Sequence, residues 1–578
     1  MIKKEKIKLI QQVYGSEKTV LYSTLQRAKQ LLPFYATHQE SRDAFWLATK
    51  KRQAWRMIGN KHTLYFIAER TSEQWLIKNV LVVGDMPGWT LFFKEIEWCS
   101  RFYFKKYCSF QWIEPLSTYW QTLLSHHGYT QDNQLAQTIW QKKLTYHIGL
   151  VLGGGGAHGA YQIGVWQTLK EHQIHFEVIT GTSVGALNGV LILQDDLSQA
   201  LSLWQSLATN QVLQLPETAL SEDLRKRFIQ ETRQMTRAAI IKGGASITPL
   251  EKLLKSKLDA EKILKMKSPR LFTVSTRLPD FKEVVTPIQQ LASNEIADWI
   301  LASASFYPAM SYRNIAGQKY IDGGYRNNLP VDVAIKEGAT ECLIVDVDGP
   351  GVTKKITIPE ETVPWLCRSN WSLGTFLIFD RQRNQFNLQL GYLEMKKKLG
   401  DFEGNWYTFY STKLAEQYWR KFLSYLVNDL QLETTFVQQP KFWQTLRNIY
   451  KDRVVIETCG VAMLELLAKK KLVLPNKVYD VDELIEQIIQ KESSSFFNQM
   501  IREVGQLNSN EWRRVQKYQK KQKTEQEQIN EIAHLVKQKK NEQLQSKLHT
   551  QLFDTLLNLY LLYLKEEQPW HKNFPTKS

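Results

Sequence analysis

At 578 residues the chain is too long for one hydrophobic core, so about three domains are expected. A hydrophobic content of 43% excludes a disordered chain, and no apolar run approaches the ~20 residues that a membrane span requires. Five scattered cysteines, an odd number with no metal-ligand spacing, exclude a disulfide-framed secreted scaffold and suggest a reducing compartment.

The net charge of +17 is unevenly spread. Residues 1–146 hold 21 Lys and Arg against 11 Asp and Glu, and residues 513–547 hold 10 against 4, so the middle of the chain is nearly neutral. Basic flanks suit an anionic lipid surface. They also suit nucleic acid, but no nucleic-acid module is recognisable, and no nucleic-acid partner is expected. The start, Met1-Ile-Lys-Lys-Glu-Lys6, carries charge without an apolar core, unlike a secretory signal. The expectation is a cytoplasmic protein, with peripheral contact on the inner membrane face as an extension of it.

Residues 1–145 read as a basic, aromatic-rich α+β accessory domain with eight tryptophans. Thr63–Ala68 and Trp75–Val83 are β-type runs that suit one hairpin, and Gly88–Lys106 reads as an aromatic helix. The stretch from Ile113 through His127-Gly-Tyr129 to Trp140–Leu144 faintly resembles the end of an N-acetyltransferase fold. The pyrophosphate loop of that fold is not recognisable around Gly84–Gly88, so acetyltransferase activity is not expected.

Three motifs occupy the middle of the chain. Tyr146–Leu152 reads as a buried strand running into Gly153-Gly-Gly-Gly-Ala-His-Gly159. A helix pattern comes next, with Tyr161, Val165 and Leu169 four residues apart. Glycines at a helix start let backbone N–H groups converge on one point, as an anion site or an oxyanion hole requires. The same loop fits G-x-G-x-x-G at Gly154, Gly156 and Gly159, with Glu177 near the distance of a ribose-binding acid. That dinucleotide reading has no need of the serine elbow downstream. His175–Thr180 is a short β-type run, Gly181-Thr-Ser-Val-Gly185 fits G-x-S-x-G, and Ala186–Leu193 suits a helix. Such an elbow pushes a serine hydroxyl out at a strand end. Farther on, Lys319-Tyr-Ile-Asp322-Gly-Gly324 places a carboxylate after a short strand, within reach of another loop and able to take a proton. Taken singly, Ser183 and Asp322 would be ordinary turn residues. Their company in one order is what gives them weight.

The glycine loop, G-x-S-x-G and D-G-G together resemble the patatin-like phospholipase family over roughly residues 146–350. The resemblance implies a three-layer α/β sandwich with a largely parallel central sheet, and a Ser–Asp dyad instead of a triad. It puts the nucleophile on Ser183 and the base on Asp322. The oxyanion donors fall on Gly153, Gly154, Gly155 and Gly156, while Gly181, Gly185, Gly323 and Gly324 support the motifs. Asn327 and Asn328 become loop-bracing residues. His158 stands where bacterial members often carry Arg or Lys, and it reads as a loop or helix-start side chain. The other ten histidines show no ligand spacing, so neither metal nor cofactor is expected.

Beyond residue 350, Trp371–Phe379 and Phe386–Tyr392 look like strands or extended segments that complete a catalytic domain spanning 146–412. Residues 413–578 read as mostly helical, with a Lys/Gln run at 517–528. The apolar end Gln551–Leu564 is too short to span a bilayer and suits a core or helix-pairing segment. The sharper alternative is a membrane-lying helix presenting Leu552, Phe553, Leu556, Leu557, Tyr560 and Leu564. The leading functional expectation is a serine acyl hydrolase of lipid or ester substrates. The competing one is a non-catalytic or regulatory membrane-surface protein that keeps the same fold. Head group, acyl position, hydrolysis against transfer, and oligomeric state stay open.

Overall fold

The alternation of β-branched and aromatic runs with turn residues resolves into two large sheets in a computed structural model, which describes residues 8–112, 116–132, 138–214, 246–490, 504, 511, 513 and 526–567. The chain divides into two compact units: Met1–Gly155, Ile174–Asp196 and Ala238–Arg368 form the first, and Gly156–Gln173, Leu197–Arg237 and Ser369–Ser578 the second.

The first unit holds both sheets. One comprises β1 (Leu9–Gln12), β2 (Ala54–Ile58), β3 (His62–Arg70), β4 (Gln74–Gly84), β5 (Tyr107–Gln111), β6 (Thr130–Gln131) and β7 (Ile139–Lys143). Their order is β1-β2-β3-β4-β5-β7-β6. The expected hairpin is β3–β4, antiparallel, and the aromatic helix runs over Trp89–Phe102 as the crossover between the parallel strands β4 and β5. Pairing of β4 with β5 ends at Ile77–Phe110, and just past it Trp112 stacks on Phe34 with ring centroids 4.2 Å apart. The acetyltransferase-like stretch lies partly outside the described residues, at 113–115 and 133–137.

The second sheet comprises β8 (Ile148–Leu152), β9 (Val178–Thr182), β10 (Arg270–Leu278), β11 (Lys282–Pro287), β12 (Arg313–Ile315), β13 (Gln318–Asp322), β14 (Glu341–Val345) and β15 (Val363–Cys367). The order is β12-β13-β10-β9-β8-β14-β15, with β11 on the other edge of β10. The run β10-β9-β8-β14-β15 is parallel, and β11, β12 and β13 are antiparallel additions. β8 is buried along its whole length, which is why it reads as a continuous apolar run and not an alternating one. Val151 packs with Val331 and Ala334 of the helix Val331–Lys336 on one face. On the other, a Cβ at Gly189 of the helix Val184–Leu193 would meet Ile179 and Leu152. Helices thus cover both faces, giving the α/β three-layer arrangement. The helix Trp89–Phe102 anchors the two sheets together. The Trp98 indole donates to Thr362 O at 3.1 Å, the Trp365 indole donates to Phe102 O at 2.7 Å, and Arg101 pairs with Glu341.

In the second unit the helix Gly159–Glu171 packs on a 19-residue helix, Arg381–Leu399. A Cβ at Gly164 would lie 2.0 Å from Leu388 O, and one at Gly391 2.2 Å from Tyr161 O, so the two backbones nearly touch. This corrects the strand expected at Phe386–Tyr392. Phe386, Leu388, Leu390 and Tyr392 alternate with period two, but the helix is buried around much of its circumference, with Arg383, Asn384, Asn387 and Glu394 also inside. No polar stripe therefore marks the 3.6-residue period. Its end signals were present: the Asp380 side chain accepts from Arg383 N at 2.9 Å, and Gly400 closes the helix at φ 91°. Trp371–Phe379 is likewise turn and irregular backbone, not strand.

From Lys413 onward the described chain is helical, apart from the short β-pairing of Val478–Tyr479 with Thr408–Phe409. Leu556, Tyr560 and Leu564 of the helix Leu552–Glu567 have 0% exposure in a core shared with Trp419, Phe422 and Leu484. The apolar end is an internal packing helix, so the membrane-lying alternative is excluded for that face. Residues 514–525 of the basic segment 513–547, with most of the Lys/Gln run, lie outside the described residues. No described helix is long and apolar enough to cross a membrane.

Candidate active site

Two strands end against one another on a single edge of β10. β9 runs parallel to β10, and its last residue, Thr182, pairs with Val274. β13 runs antiparallel to β10, and its last residue, Asp322, pairs with the next position, Ser275. The opposite edge of β10 is occupied by β11 over the same residues. Ser183 leaves the first strand end and Asp322 closes the second, so the register alone brings together two groups far apart in sequence.

Ser183 has φ 58° and ψ −124°, between β9 and the helix Val184–Leu193. A non-glycine residue held there costs ~1–3 kcal/mol, which its surroundings must impose. Ser303, at the end of the helix Ile296–Ser303, supplies part of that constraint. Its Oγ accepts from Ser183 N at 3.1 Å and donates to Val274 O at 2.6 Å, clamping the elbow to β10. The glycines on either side are required by contact. A Cβ at Gly181 would lie 2.4 Å from Gly185 O, and one at Gly185 2.1 Å from Leu152 O.

Asp322 is 2% exposed. Its Oδ1 accepts from Gly324 N at 2.7 Å, and its own N–H donates to Ser305 O at 2.8 Å. Oδ2 is buried and has no partner at full hydrogen-bond geometry, while the Ser183 hydroxyl is near enough to favour the charged carboxylate. The approach is thus looser than a made hydrogen bond, as is common in unliganded sites. Burial outweighs Ser183 and Gly324 and pushes the Asp322 carboxyl from 3.8 up to about 6. Gly323 has no room for a side chain, since its Cβ would sit 2.1 Å from Val274 O; one at Gly324 would sit 3.0 Å from Asp322 Oδ1.

The glycine loop crosses this point. A Cβ on Gly154 would be 3.1 Å from the Cβ of Ser183 and 2.3 Å from Asn328 Oδ1. Asn328 ties the loop down: its carbonyl accepts from Gly154 N at 3.1 Å, and its Nδ2 donates to Gly154 O at 3.2 Å and to Gly349 O at 3.3 Å. The carbonyl of the neighbouring Asn327 accepts from Thr182 Oγ at 2.8 Å. The Gly153 amide donates to Val345 O at 3.1 Å. Two of the four loop amides, Gly153 and Gly154, are therefore engaged in bracing. Those of Gly155 and Gly156 have no acceptor among the described residues. Within the second unit, Gly156 has φ 54°, and a Cβ there would fall 1.9 Å from Phe376 O. His158 is buried at the helix start with Nε2 3.2 Å from Gly374 O. Glu177, the acid that a nucleotide site would use, lies 2.8 Å from His147 Nδ1.

The sequence reading missed Ser303 and Ser305. Both sit in a run of small residues, Ala302-Ser-Ala-Ser305, which carries no motif, and only the fold brings it under the elbow. No cluster of three or more potential metal ligands occurs among the described residues.

The family model of the patatin-like phospholipases matches residues 150–335. Neuropathy target esterase sws of Drosophila melanogaster is 24% identical over 280 residues, covering 47% of this chain and 18% of that protein. Patatin-like phospholipase domain-containing protein 7 of Rattus norvegicus is 27% identical over 207 residues, covering 35% of this chain and 13% of that protein. The chain thus spans less than a fifth of the length of these relatives. Among solved structures, VipD from Legionella pneumophila aligns over 78% of this chain and 97% of its own at 14% identity, with a TM-score of 0.26, too low to carry an argument.

Proposed function

We propose that this chain, whose residues 150–335 match the patatin-like phospholipase family model, is a serine acyl hydrolase of lipid esters. The observation that carries the reading is the meeting of β9 and β13 at Val274 and Ser275, which sets Ser183 beside a buried carboxylate. The catalytic domain is taken as 146–412, with 1–145 and 413–578 as accessory regions.

In this mechanism the Ser183 hydroxyl adds to the ester carbonyl carbon while its proton passes to Asp322 Oδ2. Within this unit the loop amide left to hold the oxyanion is that of Gly155, because those of Gly153 and Gly154 already have acceptors. Collapse expels the alcohol, which takes the proton back from Asp322, and leaves the acyl group on Ser183. Water then adds to the acyl-enzyme, Asp322 again accepting the proton; collapse breaks the bond to Ser183 Oγ, which takes that proton back from Asp322, and the free acid leaves. An ordinary aspartate near ~3.9 is a poor base for a hydroxyl. Raised to about 6, Asp322 is still ionised at neutral pH but holds a proton more strongly. The dyad of this reading uses no histidine; His158 Nε2 lies 3.2 Å from Gly374 O.

Ser183→Ala tests the reading. The variant should lose both ester turnover and covalent fluorophosphonate labelling while keeping the parent's circular dichroism. Full-rate labelling of the variant would remove Ser183 from the mechanism, and absence of labelling in the parent would favour a non-catalytic role.

A further inference from the structure

We propose that the β10–β11 and β12–β13 hairpins are the surface by which the protein docks on an anionic lipid bilayer, a proposal that rests on the acyl-hydrolase reading. β10 runs on past Val274, which is level with Thr182, to Leu278, four residues farther. At ~3.3 Å per residue this carries the sheet edge ~13 Å beyond the Ser183 elbow. Both hairpin turns lie at that end, Pro279–Phe281 in one and Ala316–Gly317 in the other.

The hairpins expose what a lipid interface favours. At the β10–β11 turn Phe281 is 47% exposed at a positive φ of 51°; nearer the site, Tyr312, just before β12, is 41% exposed, and Val285, which pairs with Val274, is 39% exposed. The acids of the β10–β11 hairpin are already matched, Asp280 by Arg277 and Glu283 by Lys354. The exposed hairpin cations Lys282 and Lys319 have no ion pair among the described residues, and Lys319 Nζ lies 4.8 Å over the Tyr312 ring. Unbalanced charge on this rim is therefore positive and interleaved with aromatic side chains, a pairing suited to anionic headgroups above acyl chains.

An aromatic path links the rim to the site. Tyr312 meets Tyr307 at 6.4 Å between centroids, Tyr325 donates its hydroxyl hydrogen bond to Tyr307 O, and Tyr325 stacks on Phe306 at 6.0 Å. Phe306 follows Ser305, whose carbonyl accepts the Asp322 N–H. An amphiphile entering from the bilayer would slide along these rings toward Ser183 while its headgroup stayed near the cations. The apolar helix Leu552–Glu567, the other sequence candidate for membrane contact, is occupied by its own core.

The test uses the full chain, phosphatidylcholine vesicles with and without phosphatidylglycerol, and low and high salt. The parent should co-sediment with the anionic vesicles in a salt-sensitive way. Phe281→Asp combined with Lys282→Glu should weaken that partition about tenfold or more, given roughly fivefold for one cation near the surface. Ile456→Asp, which changes a still more exposed apolar residue elsewhere, should not. Hydrolysis of a soluble short-chain nitrophenyl ester should be the same in all three proteins. Absence of parent binding, unchanged binding by the double variant, or equal loss in Ile456→Asp would each overturn the docking surface. A protein that docks through these hairpins but hydrolyses no soluble ester would keep the surface and lose the acyl-hydrolase reading.

Discussion

Replacing Asp322 by asparagine should disable the protein and stabilise it at the same time. Burial lifts the carboxyl to about 6 in the folded protein, whereas in the unfolded chain it titrates near ~3.9. Because the folded value is the higher one, ionisation favours unfolding. The cost is absent below pH ~4, where both states are protonated, grows between ~4 and ~6, and is complete above ~6. A difference of about two units corresponds to ~3 kcal/mol. The carboxamide introduced by Asp322→Asn would keep an acceptor for Gly324 N without carrying charge. The variant should therefore melt several degrees above the parent at pH 8, with the gain shrinking to nothing near pH 4. Thermal melts followed by circular dichroism across that range measure it. Turnover of a soluble ester should drop by ~10²–10⁴ in the variant, and in the parent kcat/KM should fall off below pH ~6. A gain in stability that is the same at pH 4 and pH 8, or a parent pH profile whose acid limb sits near 4, would refute the claim that Asp322 is a buried, raised carboxylate acting as the base.

Gly155→Val should cut soluble-ester turnover by roughly two to three decades, the cost of losing one oxyanion donor, because its side chain would start 2.6 Å from Val347 Cγ2 and push the amide aside; near-normal turnover in steady-state assays would remove this loop from the oxyanion role. Leu556→Ala should lower stability by ~2–5 kcal/mol in chemical denaturation and leave vesicle partition unchanged, since Leu556 is fully buried.

The legible part of this chain was its local chemistry. The G-x-S-x-G elbow, the strand-then-glycine run at Ile148–Gly156 and the Asp322-Gly-Gly turn lie where strand, turn and helix signals adjoin, and each glycine stands where a Cβ would strike backbone or a packed side chain. The β3–β4 hairpin and the helix Trp89–Phe102 were legible for the same reason, because alternation and turn residues act over a few positions. The helix Arg381–Leu399 was not. Its buried circumference erased the polar stripe, and the glycine contacts that seat it lie on another helix.

By itself, then, the sequence determined which residues could react and what backbone each needed, since those requirements are short-range and written in glycines, a serine and an aspartate. Tertiary structure decided the rest. The shared edge of β10 brings Ser183 to Asp322, burial raises that carboxyl, and Asn328 and Ser303 help to fix the loop and the elbow. It also decided that the apolar C-terminal helix faces inward while the apolar and cationic tips of two hairpins face out. Both outcomes depend on which surfaces the fold happens to cover, and composition along a chain carries no record of that.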